Sequence, residues 1–99
     1  MRTRPVEFHP EAEAELDAAR AWYQERSPWA AWRLLIEVDR AIARIRENPL
    51  AGPRAFVRFR KRVVKHFPFC VYYHLVGESI RVLAVAHDRR NPGYWIGRV

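Results

Sequence analysis

The fold is decided by the stretch FPFCVYYHLVGESIRVLAVAH, residues 67–87 of the 99-residue chain. Residues 69–76 and 79–87 are rich in the β-branched and aromatic residues that favour strands. Gly77-Glu78 between them is typical of a tight hairpin turn. Both faces of the second strand are largely apolar, which predicts a central strand covered by helices on one side. By strict alternation, one of its faces carries Ile80, Val82, Ala84 and Ala86.

Upstream of this hairpin, apolar residues recur at helical spacing. Pro10 opens a first helix that is predicted to run to about Arg26. Ser27-Pro28, a hydroxyl cap followed by proline, starts a second helix that runs to about Glu47. Few residues separate the two, so they should form an antiparallel hairpin. The buried side of the second helix is predicted to carry Trp32, Leu35, Val38, Ile42 and Ile45.

Two further segments are predicted to be extended. The first is TRPVEFH, residues 3–9, and the second is residues 57–67, taken as one unbroken run. One face of that run carries Arg58, Arg60, Arg62, Val64 and His66. The element order is then β-α-α-β-β-β. We therefore predict a single α+β domain over residues 1–99, with a helix hairpin on one face of a small, mainly antiparallel sheet.

The positive charge is concentrated in the second half of the chain. The net charge is +7, and residues 1–49 hold 8 basic and 9 acidic residues. Residues 50–99 hold 10 basic residues against only Glu78 and Asp88. Clustered basic groups attract phosphates and release counterions, so this half is expected to meet a polyanion. Charge alone leaves open whether that partner is a nucleic acid or an acidic protein.

Several other classes of function are disfavoured by the composition. Cys70 is the single cysteine, which excludes an internal disulfide and a cysteine zinc cluster. No apolar run is long enough to span a membrane, and the start does not read as a signal peptide, so a cytoplasmic protein is expected. The histidines lack metal-ligand spacing and the glycines form no phosphate loop. We therefore expect no metal and no cofactor.

Two basic segments are candidate functional sites. An arginine row on a strand, opposite the helices, should face solvent or a ligand, although a charged edge strand explains the same pattern. The tail HDRRNPGYW, residues 87–95, gathers groups that can clamp phosphate, stack on bases or transfer a proton. A plain C-terminal turn is the alternative, in which Trp95 fills the core. The acids of EAEAELD, residues 11–17, are interpreted as solubilising charge.

Three further tryptophans lie in the predicted helix hairpin. Trp22, Trp29 and Trp32 are dense for so short a segment, and one or two of them are expected to pack inside. An exposed one would mark a partner surface.

The chain as a whole resembles the RelE/ParE toxin superfamily of bacterial toxin–antitoxin modules. The residues that carry the resemblance are FHPEAEAELDAARAWY, a second helix closing in IRENP, FPFCVYYHL with its following strand, and the ending H-x-R-R-x-P-x-Y-W. The resemblance covers almost the entire chain. It implies a small cytoplasmic toxin that is held inactive by a cognate antitoxin.

The superfamily implies two kinds of target. RelE-like members are ribosome-dependent, metal-independent endoribonucleases that cut mRNA. ParE-like members inhibit DNA gyrase by binding it. The double arginine followed by a proline and then Tyr-Trp resembles the ParE-like or plasmid-stabilisation type, which is the preferred interpretation. A non-toxic basic nucleic-acid-binding module is a further alternative, as is a toxin that folds but no longer acts.

The RelE-like alternative would give specific roles to residues of this chain. Arg89 or Arg90 would stabilise the transition state, and Tyr94 or His87 would be the acid/base group. The predicted phosphate- or target-binding residues are Arg58, Arg60, Arg62 and Lys65.

Overall fold

Two helices pack on one face of a five-stranded sheet in the computed structural model, which describes residues 4–56 and 58–99. This confirms the predicted α+β class, with one strand more than predicted. The elements are β1 (Val6–Phe8), α1 (Pro10–Arg26), α2 (Pro28–Glu47), β2 (Arg54–Phe56), β3 (Phe59–Val64), β4 (Phe69–Val76), β5 (Ser79–His87) and a 3₁₀ turn (Ile96–Arg98).

The sheet order is β1-β5-β4-β3-β2. β1 lies parallel to β5, and the remaining neighbours are antiparallel. β5 is therefore central, as predicted, with β1 on one side and β4 on the other. β1 is short, however, and pairs only with Ile80, Arg81 and Val82. The backbone N–H and C=O groups in the second half of β5 therefore need other hydrogen-bond partners on that side.

Local capping sets the limits of both helices, and both predictions of their bounds are confirmed. The Ser27 Oγ accepts a hydrogen bond from the Ala30 backbone N–H at 3.2 Å, and Pro28 occupies the first helical turn. The His9 Nδ1 accepts a bond from the Glu11 N–H at 3.0 Å at the start of α1. These bonds satisfy backbone donors that the first turn of a helix leaves unpaired.

The buried stripe of α2 is rotated from the predicted one. Ala31 and Ala41 are buried, whereas Trp32 is exposed and Leu35 and Ile42 are only partly buried. The expectation that one or two of the hairpin tryptophans pack inside is wrong, because Trp22, Trp29 and Trp32 are 51%, 66% and 52% exposed. The buried residues of α2 are Ala31, Leu34, Glu37, Val38, Ala41 and Ile45.

A β-bulge in β5 overturns the strict alternation predicted for that strand. Tyr72 and Tyr73 are adjacent in β4 but pair with Ala84 and Val82, so Leu83 is an extra residue. Ile80 and Val82 face the helices, whereas Leu83, Ala84 and Ala86 lie in a second core cluster on the opposite face. The bulge therefore places the two halves of the predicted face, Ile80 with Val82 and Ala84 with Ala86, on opposite sides of the sheet.

The predicted unbroken run over residues 57–67 is also wrong. β3 ends at Val64 and is followed by a turn in which His66 has a positive φ of 71°. Arg60 and Arg62 pair with Tyr73 and Val71 of the helix-side core, so this arginine row faces the helices rather than solvent. Arg58 lies in a turn before β3, and Val57 lies outside the described residues.

The face of the sheet away from the helices is covered by the C-terminal tail. Trp95 is 1% exposed and stacks on Tyr72, with ring centroids 4.6 Å apart. Phe59 meets the same indole edge-on at 5.1 Å. Gly93 allows this approach because its φ is +79° and a Cβ there would lie 3.1 Å from the Phe56 ring. The prediction that Trp95 fills the core is confirmed.

A buried carboxylate joins α2 to the β3–β4 turn. Glu37 is 3% exposed and accepts hydrogen bonds from the Arg33 Nε at 3.0 Å and the Arg40 Nη1 at 3.4 Å. Its Oε2 lies 4.0 Å from the His66 Nε2. The charge is thus neutralised at the place where the turn approaches the helix. Neither helix is long and apolar enough to cross a membrane, and no other described segment forms such a helix.

Trp95→Ala should cost about 3–5 kcal/mol of unfolding free energy, because it removes a fully buried indole from the second core. Trp29→Ala is the matched control, and since its side chain is two-thirds exposed it should cost less than about 1 kcal/mol. Chemical unfolding of the purified variants measures both. Equal losses would show that the tail does not form a core of its own.

Candidate functional site

A groove of about 510 Å³ lies between α1, the ends of β4 and β5 that meet there, and the C-terminal tail. Its walls are mainly apolar, and Trp22, Tyr23 and Phe69 supply the largest surfaces. Three polar residues of the tail region, His87, Arg90 and Tyr94, reach it together with the Glu15 carboxylate. The remaining lining residues are Ala18, Ala19, Pro68 and Val85.

Glu15 of α1 takes the position beside β5 that β1 leaves open. The His9 N–H donates to the Val82 carbonyl at 2.9 Å, which is the last backbone bond on the β1 side. Beyond it, the Glu15 Oε1 accepts a bond from the Val85 N–H at 3.0 Å, and the Arg98 Nη1 donates to the Leu83 carbonyl at 2.9 Å. The Glu15 and Arg98 side chains therefore bind the β5 backbone groups that a longer β1 would have paired.

The same carboxylate holds the tail. Arg98 donates to both Glu15 oxygens at 3.0 Å, a bidentate pair in which each side chain is 15% exposed. The Tyr94 hydroxyl donates to the Glu15 Oε2 at 2.6 Å. The Arg90 guanidinium lies 3.9 Å from the Tyr94 ring centroid and 3.8 Å from the same carboxylate. Arg98, Tyr94 and Arg90 therefore all contact the Glu15 carboxylate.

These contacts determine the acid–base behaviour of the tail. Burial and the hydrogen bond to Glu15 raise the pKa of the Tyr94 phenol well above its ordinary value, although Arg90 and Arg98 oppose the shift. The hydrogen bond to Glu15 also raises the pKa of the Arg98 guanidinium. Tyr94 is consequently a neutral hydrogen-bond donor whose proton is already committed to a carboxylate.

The other acid/base candidate, His87, has one ring nitrogen engaged. Its Nδ1 accepts a bond from the Arg89 backbone N–H at 3.0 Å, and its ring meets Phe69 edge-on at 5.2 Å. The Arg89 side chain is exposed and does not line the groove. The structure thus brings His87, Arg90 and Tyr94 to one groove and leaves Arg89 outside it.

Comparison with known proteins shows the family to which the chain belongs. The model for "ParE toxin of type II toxin-antitoxin system, parDE" matches residues 6–92. The chain belongs to the ParE toxin family. Toxin ParE2 from two Mycobacterium tuberculosis strains, CDC 1551 / Oshkosh and H37Rv, is 32% identical over 91 residues in each case. The alignment covers 91% of this chain and 87% of each relative.

Solved structures support the fold. The "Chromosomal ParDE TA system from P. aeruginosa" superposes with a TM-score of 0.73 at 20% identity, covering 86% of this chain and 96% of that one. The YoeB dimer of Staphylococcus aureus gives a TM-score of 0.62 at 11% identity, covering 87% and 98% of the two chains. The family model and the Toxin ParE2 relatives confirm the resemblance to the RelE/ParE superfamily, and these structures share the fold of this chain.

The basic residues predicted to bind phosphate do not form one site in this ParE-family fold. Arg58 and Arg60 line a second groove, at the opposite end of β4. Arg62 pairs with Val71 on the helix side of the sheet, and its Nε is buried without a hydrogen-bond partner among the described residues. Lys65 is exposed in the turn after β3. The predicted strand row is divided because β3 packs under α2.

Glu15 is the functional-site residue that the sequence interpretation missed. The sequence pattern places it among the solubilising acids of residues 11–17, and for Glu15 that interpretation is wrong. The available signal was its spacing, since Glu15 lies three residues after Ala12 and four before Ala19, both on the buried face of α1. A carboxylate on an apolar helix face requires a partner, and the distant Arg98 provides it.

Glu15→Gln should lower the unfolding free energy by about 3 kcal/mol, because it leaves the largely buried Arg98 without its counter-charge. Glu13→Gln is the control on the same helix, with an exposed side chain, and should change stability by less than about 0.5 kcal/mol. Urea unfolding at neutral pH provides the comparison. If the two variants unfold alike, Glu15 does not organise the tail.

Proposed function

We propose that this ParE-family toxin inhibits growth by binding DNA gyrase and that a cognate antitoxin neutralises it by covering the groove. The family assignment already gives the coarser function, a toxin of the type II toxin–antitoxin class. Gyrase is a cytoplasmic enzyme, so we also place the toxin in the cytoplasm. The toxin could act on its target either by binding it or by catalysing its cleavage.

The observation that carries the proposal is the 2.6 Å bond between the Tyr94 hydroxyl and Glu15. A general base or acid needs an available proton position and a pKa near the working pH. Tyr94 meets neither requirement, since burial and Glu15 raise the pKa of its phenol. His87 has its Nδ1 occupied by the Arg89 N–H. These residues act in the proposal as parts of a rigid tail that presents a surface.

The groove suits a protein segment better than a reacting phosphodiester. Its largest walls are aromatic, and Trp22 is half exposed at its rim. Such exposed aromatic area favours a protein partner. Arg90 supplies one positive charge at the rim, which a carboxylate of the partner can meet. We assign this groove to the antitoxin, as an amphipathic segment with an acidic side chain near Arg90.

Tyr94→Phe separates the binding and catalytic alternatives. The variant keeps the ring under Arg90 and removes only the hydroxyl, so the inhibition of purified gyrase in a DNA supercoiling assay should stay within about threefold of the unmodified toxin, after correction for the folded fraction. A catalytic phenol would behave differently, since its loss typically costs about 10²–10⁴-fold in rate.

The contrary result is equally specific. The proposal would be overturned if the toxin cleaved mRNA on translating ribosomes and had no effect on gyrase. Loss of that cleavage in a folded Tyr94→Phe variant would then indicate a RelE-like ribonuclease. A folded protein without effect in either assay would leave a non-toxic binding module or an inactive relative.

A further inference from the structure

A second, basic pocket of about 550 Å³ lies at the end of the sheet remote from the tail groove. The tail groove reaches Phe69 at the start of β4, whereas the basic pocket is formed around His74 near the end of that strand. Five residues of extended chain separate the two, roughly 17 Å. The two sites can therefore be occupied independently.

The pocket is strongly positive. Four of its lining residues are Arg54, Arg58, Arg60 and Arg81, and no lining side chain among the described residues is a carboxylate. Arg60 is fixed by its 2.8 Å bond to the Gly52 carbonyl, and Arg81 lies 3.3 Å from Glu7 at the rim. Arg58 lies over the Phe59 ring, its guanidinium carbon 5.9 Å from the centroid. Guanidinium groups recognise phosphate oxygens with paired N–H donors.

A buried imidazole lies beneath these arginines. His74 is 7% exposed, and its Nε2 has no hydrogen-bond partner among residues 4–56 and 58–99. Arg81 is its direct cross-strand neighbour, and Phe59 lies against its ring at 5.5 Å. Burial lowers the pKa of His74, and the charges of Arg81 and Arg58 lower it further. Arg81 is thus beside His74 across the strands, and Arg58 lies over the phenyl ring that packs on the same imidazole.

Apolar residues, Val99 among them, line the remainder of the pocket. Leu50, Leu75 and Val76 line the pocket with Pro49. Concave shape, convergent positive charge and an apolar wall together suit a phosphate that belongs to a larger molecule. An isolated surface cluster of arginines would lack the wall and the buried imidazole.

We propose that this pocket binds a phosphate group of a nucleotide or of a nucleic-acid backbone, held between Arg58 and Arg81 over His74. The site is separate from the tail groove and does not depend on the proposed action on gyrase. Both ligands carry a phosphate ester, and the experiment tests a nucleotide and a DNA duplex separately.

The first arm uses ATP as the probe and two-dimensional NMR at constant ionic strength. Saturable shifts are expected at the amides of His74 and Arg81. Arg58→Gln and Arg81→Gln should each weaken binding about tenfold, the loss expected for one charged hydrogen-bond donor. Arg20→Gln, an exposed residue of α1, removes the same charge elsewhere and should change the affinity less than about twofold.

The second arm uses a short fluorescein-labelled DNA duplex and measures affinity against salt concentration. Each arginine that neutralises one backbone phosphate contributes about 0.9 to the slope of log K against log salt. The double variant Arg58→Gln/Arg81→Gln should therefore lower that slope by about two, and Arg20→Gln should not change it. If the pocket is specific for the free nucleotide, the substitutions weaken the binding of ATP and leave the binding of DNA unchanged.

Two results would overturn the proposal. One is binding of both probes by the double variant at the strength seen for the unmodified chain. The other is an equal effect of the Arg20→Gln control, which would show that net charge, and not this pocket, attracts phosphate.

Discussion

The Glu15 carboxylate is the interaction on which the remaining architecture depends. β1 is too short to cover β5 along its length, so the Val85 N–H and Leu83 carbonyl face a gap. Glu15 and Arg98 fill that gap with hydrogen bonds of 3.0 and 2.9 Å. One charge thereby completes the sheet, joins α1 to it and fixes the tail through Arg98 and Tyr94. A mostly buried ion pair is stable only when its hydrogen bonds are satisfied in this way.

Anchoring the tail has a functional consequence. With Trp95 buried on one face of the sheet and Tyr94 bonded to Glu15, the tail holds His87, Arg90 and Tyr94 in the wall of the groove. In the proposed function this wall recognises a partner and takes no part in proton transfer. The proposed mode of action fits both the ParE family assignment and the chemistry of the site, because a toxin that acts by binding needs a firm surface and no titrating group. The basic pocket at the other end of β4 adds a different chemistry to the same scaffold.

The sequence predicts local structure well and side-chain partnerships poorly, for identifiable reasons. Helix bounds follow from Pro10, Ser27 and Pro28, whose effects are local. The bulge at Leu83 and the helix-facing position of Arg60 and Arg62 depend on strand pairing across the sheet, which alternation within one strand does not encode. The role of Glu15 depends on Arg98, distant in sequence. Trp29 and Trp32 are exposed, against the prediction, because the buried stripe of α2 includes small residues such as Ala31 and Ala41.

The most direct test of the account is inducible expression in a bacterial host, with pulse-labelling of DNA and protein synthesis during the first minutes. We expect DNA synthesis to fall first while translation continues, for the unmodified chain and for Tyr94→Phe alike. An initial fall in protein synthesis that Tyr94→Phe abolishes, with the variant still folded, would contradict the central claim that the tail is a binding surface.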